Sequence, residues 1–201
     1  MNKEKFPRGK RSLEEKKDEL RGEDLTGAWL AGADLKGADL QDAKLEGADL
    51  KDAYLRNAIL EGADLRNAKM KGVNLTESYL KNAKLEGADL KDANLRNAIL
   101  EGADLRNAIL EGADLIDVDL KGARLEGAEL KDAKLVNADL RGADLKGADM
   151  TGANLSHANL QDANLFRINL DGADLFRTNL KGVDMTGVDI SNAFLDKWAE
   201  K

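Results

Sequence analysis

Few residues in this chain are typical of nucleophilic catalysis. The single histidine, His157, stands directly beside Ser156, and cysteine is absent. Adjacent side chains on a strand diverge, so we do not interpret this pair as a nucleophile and its base. Catalysis needs unlike groups that converge in a cleft. The sequence therefore predicts a protein that is not an enzyme, with His157 as a solvated corner residue.

Carboxylates are abundant, because an Asp or Asn precedes many of the leucines. Oxygen ligands of this kind suit calcium. However, one row of these positions alternates with Lys or Arg, and the G-G-x-G-x-D nonapeptide of calcium-binding β-helices is missing. The segment GADLKGADM also lacks the G-K-[ST] ending of a phosphate-binding loop. We expect neither a metal ion nor a cofactor.

Lysines recur at a 20-residue step in Lys51, Lys71 and Lys91, which suggests a basic row. The row stands beside Asp49 and Asp89, in a chain with a net charge of −7 and a pI of about 4.9. A mixed-charge, solvated surface explains it better than a nucleic-acid site, which needs a net basic footprint. We expect no binding to nucleic acid.

A five-residue repeat positions all these residues. From Leu25 to Leu195, every residue whose number ends in 5 or 0 is aliphatic or Met, and the residue two before it is mostly Ala. Helical residues turn by about 100° each, so leucines five apart form no stripe on a helix. In a continuous strand they would point to alternate faces. The chain must therefore change direction once per repeat.

The residue two after each Leu marks where the chain turns. It is Gly, Asn or Asp in most repeats, as in Gly47, Asp52 and Asn57. These residue types tolerate positive φ and favour tight turns. Ala and Leu, two apart, share a face of an extended segment. Each pentapeptide is thus predicted to form a short flat face with Ala and Leu inward, followed by a corner.

Outward residues indicate the length of one coil. In one row of outward residues the sign of the charge alternates strictly at a 20-residue step. If 20 residues make a coil, this places opposite charges next to each other on neighbouring coils. Four faces per coil is the simplest account. The alternating residues are Asp24, Lys44, Asp64, Lys84, Asp104, Arg124 and Asp144.

The segments GADLK, GANLS and DANLQ follow the motif A-[DN]-L-x-x. Over roughly residues 21–195 the chain resembles the pentapeptide-repeat family. The resemblance implies an all-β solenoid, a right-handed quadrilateral β-helix of about nine coils, which agrees with the 20-residue step. Members of this family share no single activity, so the resemblance predicts the fold and leaves the function open.

The two ends depart from the repeat. Residues 1–20 are predicted to form a basic arm and a short helix, over about residues 13–21, that caps the first coil. Ser12 and Glu15 have the spacing of a capping box, and Gly22 fits a helix stop. A solvated tail is the alternative. Residues 21–195 form the β-helix, and residues 196–201 a C-terminal cap or tail.

Two groups of outward apolar residues suggest interaction surfaces. Ile59, Tyr79 and Ile99 recur at the 20-residue step, either as a row that binds a protein partner or simply as β-forming residues. Residues near the C-terminus cap the last coil or form the seam of a homodimer; these are Phe166, Phe176, Phe194 and Trp198.

Two functions fit these observations. The first is a non-enzymatic rigid scaffold or protein-interaction module with an unknown protein partner. The second, implied by the resemblance, is a DNA mimic that inhibits or protects DNA gyrase or topoisomerase IV. Members of the gyrase-protecting branch often carry Phe at the repeat centre, and some carry protruding loops, whereas this chain has Leu centres and no loops.

Charge density also bears on DNA mimicry. The first 20 residues carry 7 basic and 5 acidic residues, so the remainder carries 31 − 7 = 24 positive and 38 − 5 = 33 negative charges, a net charge of −9. Over a rod of about 42 Å this is one net charge per about 5 Å, against about 1.7 Å for duplex DNA. The scaffold is the favoured hypothesis.

No apolar run approaches the length of a transmembrane helix. The first 20 residues are basic but contain no apolar core of a secretory signal. We expect a cytoplasmic protein that does not bind membranes.

Overall fold

The computed structural model describes residues 10–195, which form a rod of stacked 20-residue coils. Parallel bridges join outward residues that are 20 positions apart, from Asp24↔Lys44 to Asp174↔Phe194, with no bridge between Asn164 and Asp184. Each bridge is a single residue between two turns, so the sheets within these residues consist of isolated bridges rather than continuous strands. The predicted 20-residue step is confirmed as the length of one coil.

Each coil has four faces and four corners. The first, second, third and fourth faces carry the bridging residues that begin with Asp24, Trp29, Asp34 and Asp39 and continue in steps of 20. The corners are numbered after the face that precedes them, and each corner consists of the two residues that follow the inward Leu. In the first coil the first corner is formed by residues 26 and 27, and it recurs every 20 residues along the rod.

The corners are tight turns. The amide of Ala63 donates to the carbonyl of Leu60 at 3.0 Å, and the same bond closes other corners along the rod. The second corner residue has positive φ in every coil from residue 22 to residue 192, for example 66° at Gly62 and 58° at Asn57. This is the geometry of a type II turn. The prediction that Gly, Asn and Asp mark the corners is confirmed, with exceptions at Glu77, His157, Arg167 and Arg177.

Leu and Ala side chains fill the interior. Mid-rod, Leu105 is 1% exposed and Ala103 is fully buried. Backbone bonds join neighbouring coils around this core: the amide of Leu105 donates to the carbonyl of Arg124 at 2.7 Å, and the amide of Arg124 donates to that of Ala103 at 2.9 Å. The core loosens near the end, where Leu180 and Met185 are only partly buried.

The Asp or Asn before the Leu stabilises the following corner. Its side-chain oxygen accepts a hydrogen bond from the amide two residues on, as in Thr26 to Asp24 at 3.1 Å and Ser156 to Asn154 at 2.9 Å. In these two cases the amide belongs to the first corner residue, Thr26 or Ser156, to which the ladder between coils gives no backbone acceptor. Short polar side chains satisfy such local donors well, which gives the A-[DN]-L motif a physical reason.

The N-terminal helix lies earlier than predicted. Helix α1 spans Lys10–Glu15, and a 3-10 helix follows at Lys17–Glu19. Ser12 therefore lies inside α1 rather than at its N-cap, and Gly22 forms the first turn of the rod, at φ 67°, rather than ending a helix. The capping-box interpretation is wrong, because α1 begins two residues before Ser12.

The helical segment packs on the first coil. Leu13 and Leu20 are fully buried. The Glu14 carboxylate accepts the amide hydrogen of Asp34 at 2.9 Å, and the Lys17 carbonyl accepts that of Asp39 at 3.1 Å. These bonds satisfy edge amides that would otherwise face solvent.

Residues 1–9 and 196–201 lie outside the described part of the chain. The predicted basic arm, the C-terminal cap and the role of Trp198 therefore stay predictions. Within residues 10–195, no helix is long and apolar enough to cross a bilayer.

Candidate interaction surfaces

The predicted apolar row lies on the fourth face. Parallel bridges link Ile59 to Tyr79 and Tyr79 to Ile99, so the three side chains project from the same face on successive coils. Tyr79 is 44% exposed, and both isoleucines are half-buried. Asp39 and Asp119 occupy the next positions and end the row. The structure thus brings the three residues together, while their role in binding stays a prediction.

Charged residues on the two adjoining corners are paired with one another. Arg56 lies 3.0 Å from Glu77 on the third corner, and Lys81 lies 3.1 Å from Glu101 on the fourth. These pairs are about half-exposed and contribute little to stability. They do give the apolar row a polar border, which is the usual arrangement at a protein interface.

Two further apolar residues lie beyond the end of this row. Ile116 and Val136 are half-buried at the first position of the third corner, in the coils of Asp119 and Asp139. The third-corner residues that flank the row itself are Arg56, Thr76 and Arg96. Ile116 and Val136 are therefore separate from the row.

The C-terminal aromatic residues do not form one cluster. Phe166 lies on the first corner and Phe176 on the third, and ten residues correspond to half a coil. The two rings therefore occupy diagonally opposite corners. Phe194 lies on the third face, bridged to Asp174 and 69% exposed. Whether these residues cap the rod or form the seam of a homodimer stays a prediction.

Each of these two corner phenylalanines carries an arginine over its ring. The guanidinium carbon of Arg167 is 5.1 Å from the centre of the Phe166 ring, and that of Arg177 is 5.1 Å from the Phe176 ring. Both distances are within the range of cation–π attraction. The Phe176 ring also receives the edge of the His157 ring at 5.6 Å.

Sequence reasoning missed two exposed aromatic residues near the N-terminal end. Trp29 on the second face is 71% exposed, and Tyr54 on the third is 48% exposed, with the Lys36 ammonium 5.0 Å from its ring. Both occupy the same outward position as Tyr79. The signal was available in the repeat frame, but neither residue has an aromatic or aliphatic neighbour one coil away.

The first face and first corner carry a lattice of opposite charges. The Arg66 guanidinium binds Asp64 at 2.6 Å in its own coil and Glu46 at 3.1 Å in the preceding coil. Arg106 repeats the arrangement with Asp104 at 2.6 Å and Glu86 at 3.0 Å. Parallel bridges also stack the predicted alternating row, from Asp24 to Asp144, and within it Arg124 lies 3.4 Å from Asp104.

These contacts change how the acidic residues titrate. The hydrogen bond from Arg66 holds the pKa of Asp64 below its ordinary value, and that from Arg106 does the same for the pKa of Asp104. Asp64 and Asp104 are therefore ionised at physiological pH and paired with arginines. The face presents no continuous acidic surface.

The two candidate catalytic residues have other partners. The Ser156 hydroxyl donates to Asp174 at 2.9 Å, while His157 packs on Phe176. They do not act as a pair. Across residues 10–195, no group of three or more His, Asp or Glu side chains is arranged to hold a metal ion.

Comparison with known proteins explains this architecture. A sequence model of pentapeptide repeats matches in overlapping stretches that extend from residue 19 to residue 192. The chain belongs to the pentapeptide-repeat family. No curated protein sequence matched it.

Several solved pentapeptide-repeat structures are similar. HetL, involved in heterocyst differentiation regulation in the cyanobacterium Nostoc, is 33% identical over 90% of this chain and 94% of its own, with a TM-score of 0.46. A thylakoid-lumen pentapeptide repeat protein of Arabidopsis thaliana is 28% identical, over 71% and 72% of the two chains, with a TM-score of 0.28. QnrB1, a plasmid-mediated fluoroquinolone resistance protein, is 20% identical over 91% and 88%, with a TM-score of 0.44.

Proposed function

We propose that this pentapeptide-repeat protein is a non-enzymatic rigid scaffold that presents the row Ile59, Tyr79 and Ile99 to a protein partner. The position of this row is the observation that carries the proposal. Strand propensity explains one outward isoleucine. Three apolar residues in register on adjacent coils, bounded by Asp39 and Asp119, instead form a strip that a partner can cover.

The coil-to-coil hydrogen bonds support the scaffold role. Around Tyr79, the amide of Leu80 donates to Ile99 at 2.7 Å and the amide of Tyr79 donates to Ala58 at 3.0 Å. Such a ladder on both sides of the row fixes the spacing of its side chains. A pre-organised surface loses little conformational entropy when it binds.

The row is small relative to a complete interface. Two steps along the rod at the strand spacing span about 10 Å, whereas a standard interface buries about 800 Å² on each partner. The row therefore supplies the central anchor, with the polar corners around it. Aromatic residues at the centre of an interface commonly carry much of the binding energy.

The non-enzymatic part of the proposal is supported by the engagement of Ser156 with Asp174 and of His157 with Phe176. Both side chains are committed to structural contacts. The coils give each face a flat surface, which suits recognition of another protein better than enclosure of a substrate.

A comparison of two tyrosines tests the proposal. Immobilised wild-type protein is used to capture partners from the source cell, in parallel with Tyr79→Lys and Tyr54→Lys. Tyr54 is similarly exposed but lies on the third face, so it is a matched control. We expect Tyr79→Lys to abolish capture of a defined protein that Tyr54→Lys retains. Equal capture by all three proteins would contradict the role of the row.

A homodimer through the C-terminal end and a cytoplasmic location also stay predictions. Sedimentation of the wild type and of Phe176→Asp combined with Trp198→Asp tests the dimer. A monomeric wild type would remove it. Fractionation of the source cell tests the location.

A further inference from the structure

Arg167 and Arg177 differ from the other arginines within residues 10–195. Each of the others lies within ion-pair distance of a carboxylate, whereas these two pair with no carboxylate in that part of the chain and stack on phenylalanine instead. The paired arginines are Arg11, Arg21, Arg56, Arg66, Arg96, Arg106, Arg124 and Arg141. Two guanidinium groups are thus left with open hydrogen-bonding capacity.

The backbone at these positions does not favour arginine. Arg167 has a φ of 60° and Arg177 a φ of 54°. Long side chains such as arginine rarely adopt this left-handed region, which Gly, Asn and Asp occupy more readily. On the first corner, the residues one coil before and after Arg167 are Gly147 and Gly187. The turn itself would be more stable with glycine, so the fold does not explain the arginine.

The first corner opens a groove beside Arg167. The residues that line it include Arg106, Glu126, Lys146 and Arg167, and Gly147 forms part of its floor. A Cβ atom built on Gly147 would meet nothing within 4 Å, so the floor is open. The Lys146 ammonium lies 6.0 Å from the Phe166 ring, which brings a second cation to the same place.

One acceptor in this groove is unsatisfied. Oε2 of Glu126 is buried and receives no hydrogen bond from the described residues, and the nearest cation, Nε of Arg124, is 3.6 Å away. A buried carboxylate oxygen without a donor is destabilising. The accessible groups at the groove are therefore the cations Lys146 and Arg167, with the exposed Phe166 ring beside them.

The Phe–Arg units of the third and first corners differ in the residue one coil before the arginine. At the third corner this residue is His157, whose ring packs edge-on against Phe176. At the first corner the equivalent residue is Gly147, which leaves the space beside Phe166 open. The space beside the phenyl ring is thus occupied by His157 at the third corner and is open at the first corner.

We propose that the first-corner groove binds an acidic segment of a protein partner. A Glu or Asp carboxylate of that segment pairs with Arg167 and Lys146, and its methylene groups lie on Phe166. Guanidinium binds carboxylate through directional, charge-assisted hydrogen bonds. Inorganic phosphate satisfies the cations but offers no methylene groups to the phenyl ring, so an acidic peptide fits the site better.

This inference rests on the proposed scaffold role and adds a partner chemistry to it. The groove lies on the first corner, which does not adjoin the fourth face, so variants at the two surfaces are independent. If Tyr79→Lys does not affect partner capture while the groove still binds peptide, the proposal for the row fails. If Tyr79→Lys abolishes capture and the groove does not bind peptide, the proposal for the groove fails.

The test uses the full chain, labelled with ¹⁵N, and a hexaglutamate peptide. Arginine Nε–H resonances are followed by NMR, with hexaglutamine and inorganic phosphate as parallel probes. We expect a saturable shift of the Arg167 resonance with hexaglutamate and none with hexaglutamine. Loss of one charge-assisted contact corresponds to about tenfold weaker binding, which is the effect expected for Arg167→Gln.

Two further variants make the result decisive. Gly147→Asn, which the turn tolerates, should block the floor and weaken binding without unfolding the rod. Arg177→Gln should leave binding unchanged. Uniform shifts of all arginines, equal loss in Arg177→Gln, or binding of phosphate as tight as that of hexaglutamate would each overturn the proposal.

Discussion

Two kinds of residue position decide the stability of this chain. Inward positions, such as Leu105, exclude water almost completely, while the second corner position requires positive φ whatever the residue. The first requirement is met by every inward residue of the central coils. The second is met by Glu77 and His157 only at a backbone cost, because such side chains rarely adopt the left-handed region.

The inward assignment can be tested with one charge. Leu105→Asp would bury an unpaired carboxylate in the core, which should cost several kcal/mol or prevent folding. Lys51→Asp introduces the same side chain at an exposed corner position and should change the free energy of unfolding by about 0.5 kcal/mol or less. Urea denaturation followed by circular dichroism measures both. Comparable losses would show that the inward and outward positions are misassigned.

The corner position predicts a stabilising change. Glu77 has a φ of 58°, and its ion pair with Arg56 is about half-exposed. Glu77→Asn should therefore stabilise the fold by about 0.5–1 kcal/mol, since Asn tolerates the left-handed region and the exposed pair contributes little. Glu61→Asn, at a first corner position without positive φ, is the control and should give no gain in urea denaturation. A destabilised Glu77→Asn variant would contradict the turn argument.

At the scale of elements, each face of the rod has its own character. The first face pairs its charges along and across coils, the fourth carries the apolar row, and the first and third corners carry the Phe–Arg units. All four faces have the same backbone. Specificity therefore lies entirely in which outward residues the 20-residue step places next to each other.

The paired first face predicts how stability depends on pH. The folded-state pKa values of Asp64 and Asp104 are lowered, chiefly by hydrogen bonds from Arg66 and Arg106. A lowered folded-state pKa stabilises the fold above the unfolded value of about 3.9, and this stabilisation is lost as the pH falls through the folded pKa. The thermal midpoint should thus fall between about pH 5 and pH 2.

Arg106→Gln is the matched variant for this measurement. It removes the main cause of the lowered Asp104 pKa, so its midpoint should decrease less over the same pH interval. Thermal unfolding at a series of pH values compares the two proteins. Parallel pH profiles for wild type and variant would mean that the pair does not contribute.

The sequence alone predicted the coil length, the corners and the inward residues, because a strict repeat leaves one arrangement that buries every Leu. It misplaced α1, since the spacing of Ser12 and Glu15 fits a capping box but does not fix where a helix begins. The groove beside Arg167 was also out of reach. It depends on Gly147 one coil away, and that neighbour has meaning only after faces and corners are assigned.

At the scale of the whole molecule, the chain is a stack of coils whose net charge is negative but locally balanced. Basic residues lie within ion-pair distance of acids on the first face and on several corners, as in Arg66 with Glu46 and Lys91 with Glu111. A protein in direct contact with this surface therefore encounters charges of both signs. The net charge of −7 contributes mainly to the electrostatic potential at longer distances, where salt screens it.

This charge pattern predicts weak interaction with DNA-binding enzymes. A DNA mimic must reproduce a dense and continuous row of negative charge, about one per 1.7 Å, whereas here Arg106 and Arg124 both contact Asp104 on the first face. Purified protein should neither inhibit DNA supercoiling by gyrase nor protect the enzyme from quinolones. A supercoiling assay at low and physiological salt measures this. The comparison is a variant in which Arg66, Arg106 and Arg124 are all changed to Gln, so that the acidic side chains lose their cationic partners. Inhibition by this variant alone would support charge pairing as the reason why the wild type does not mimic DNA. Potent inhibition by the wild type would restore the mimicry hypothesis.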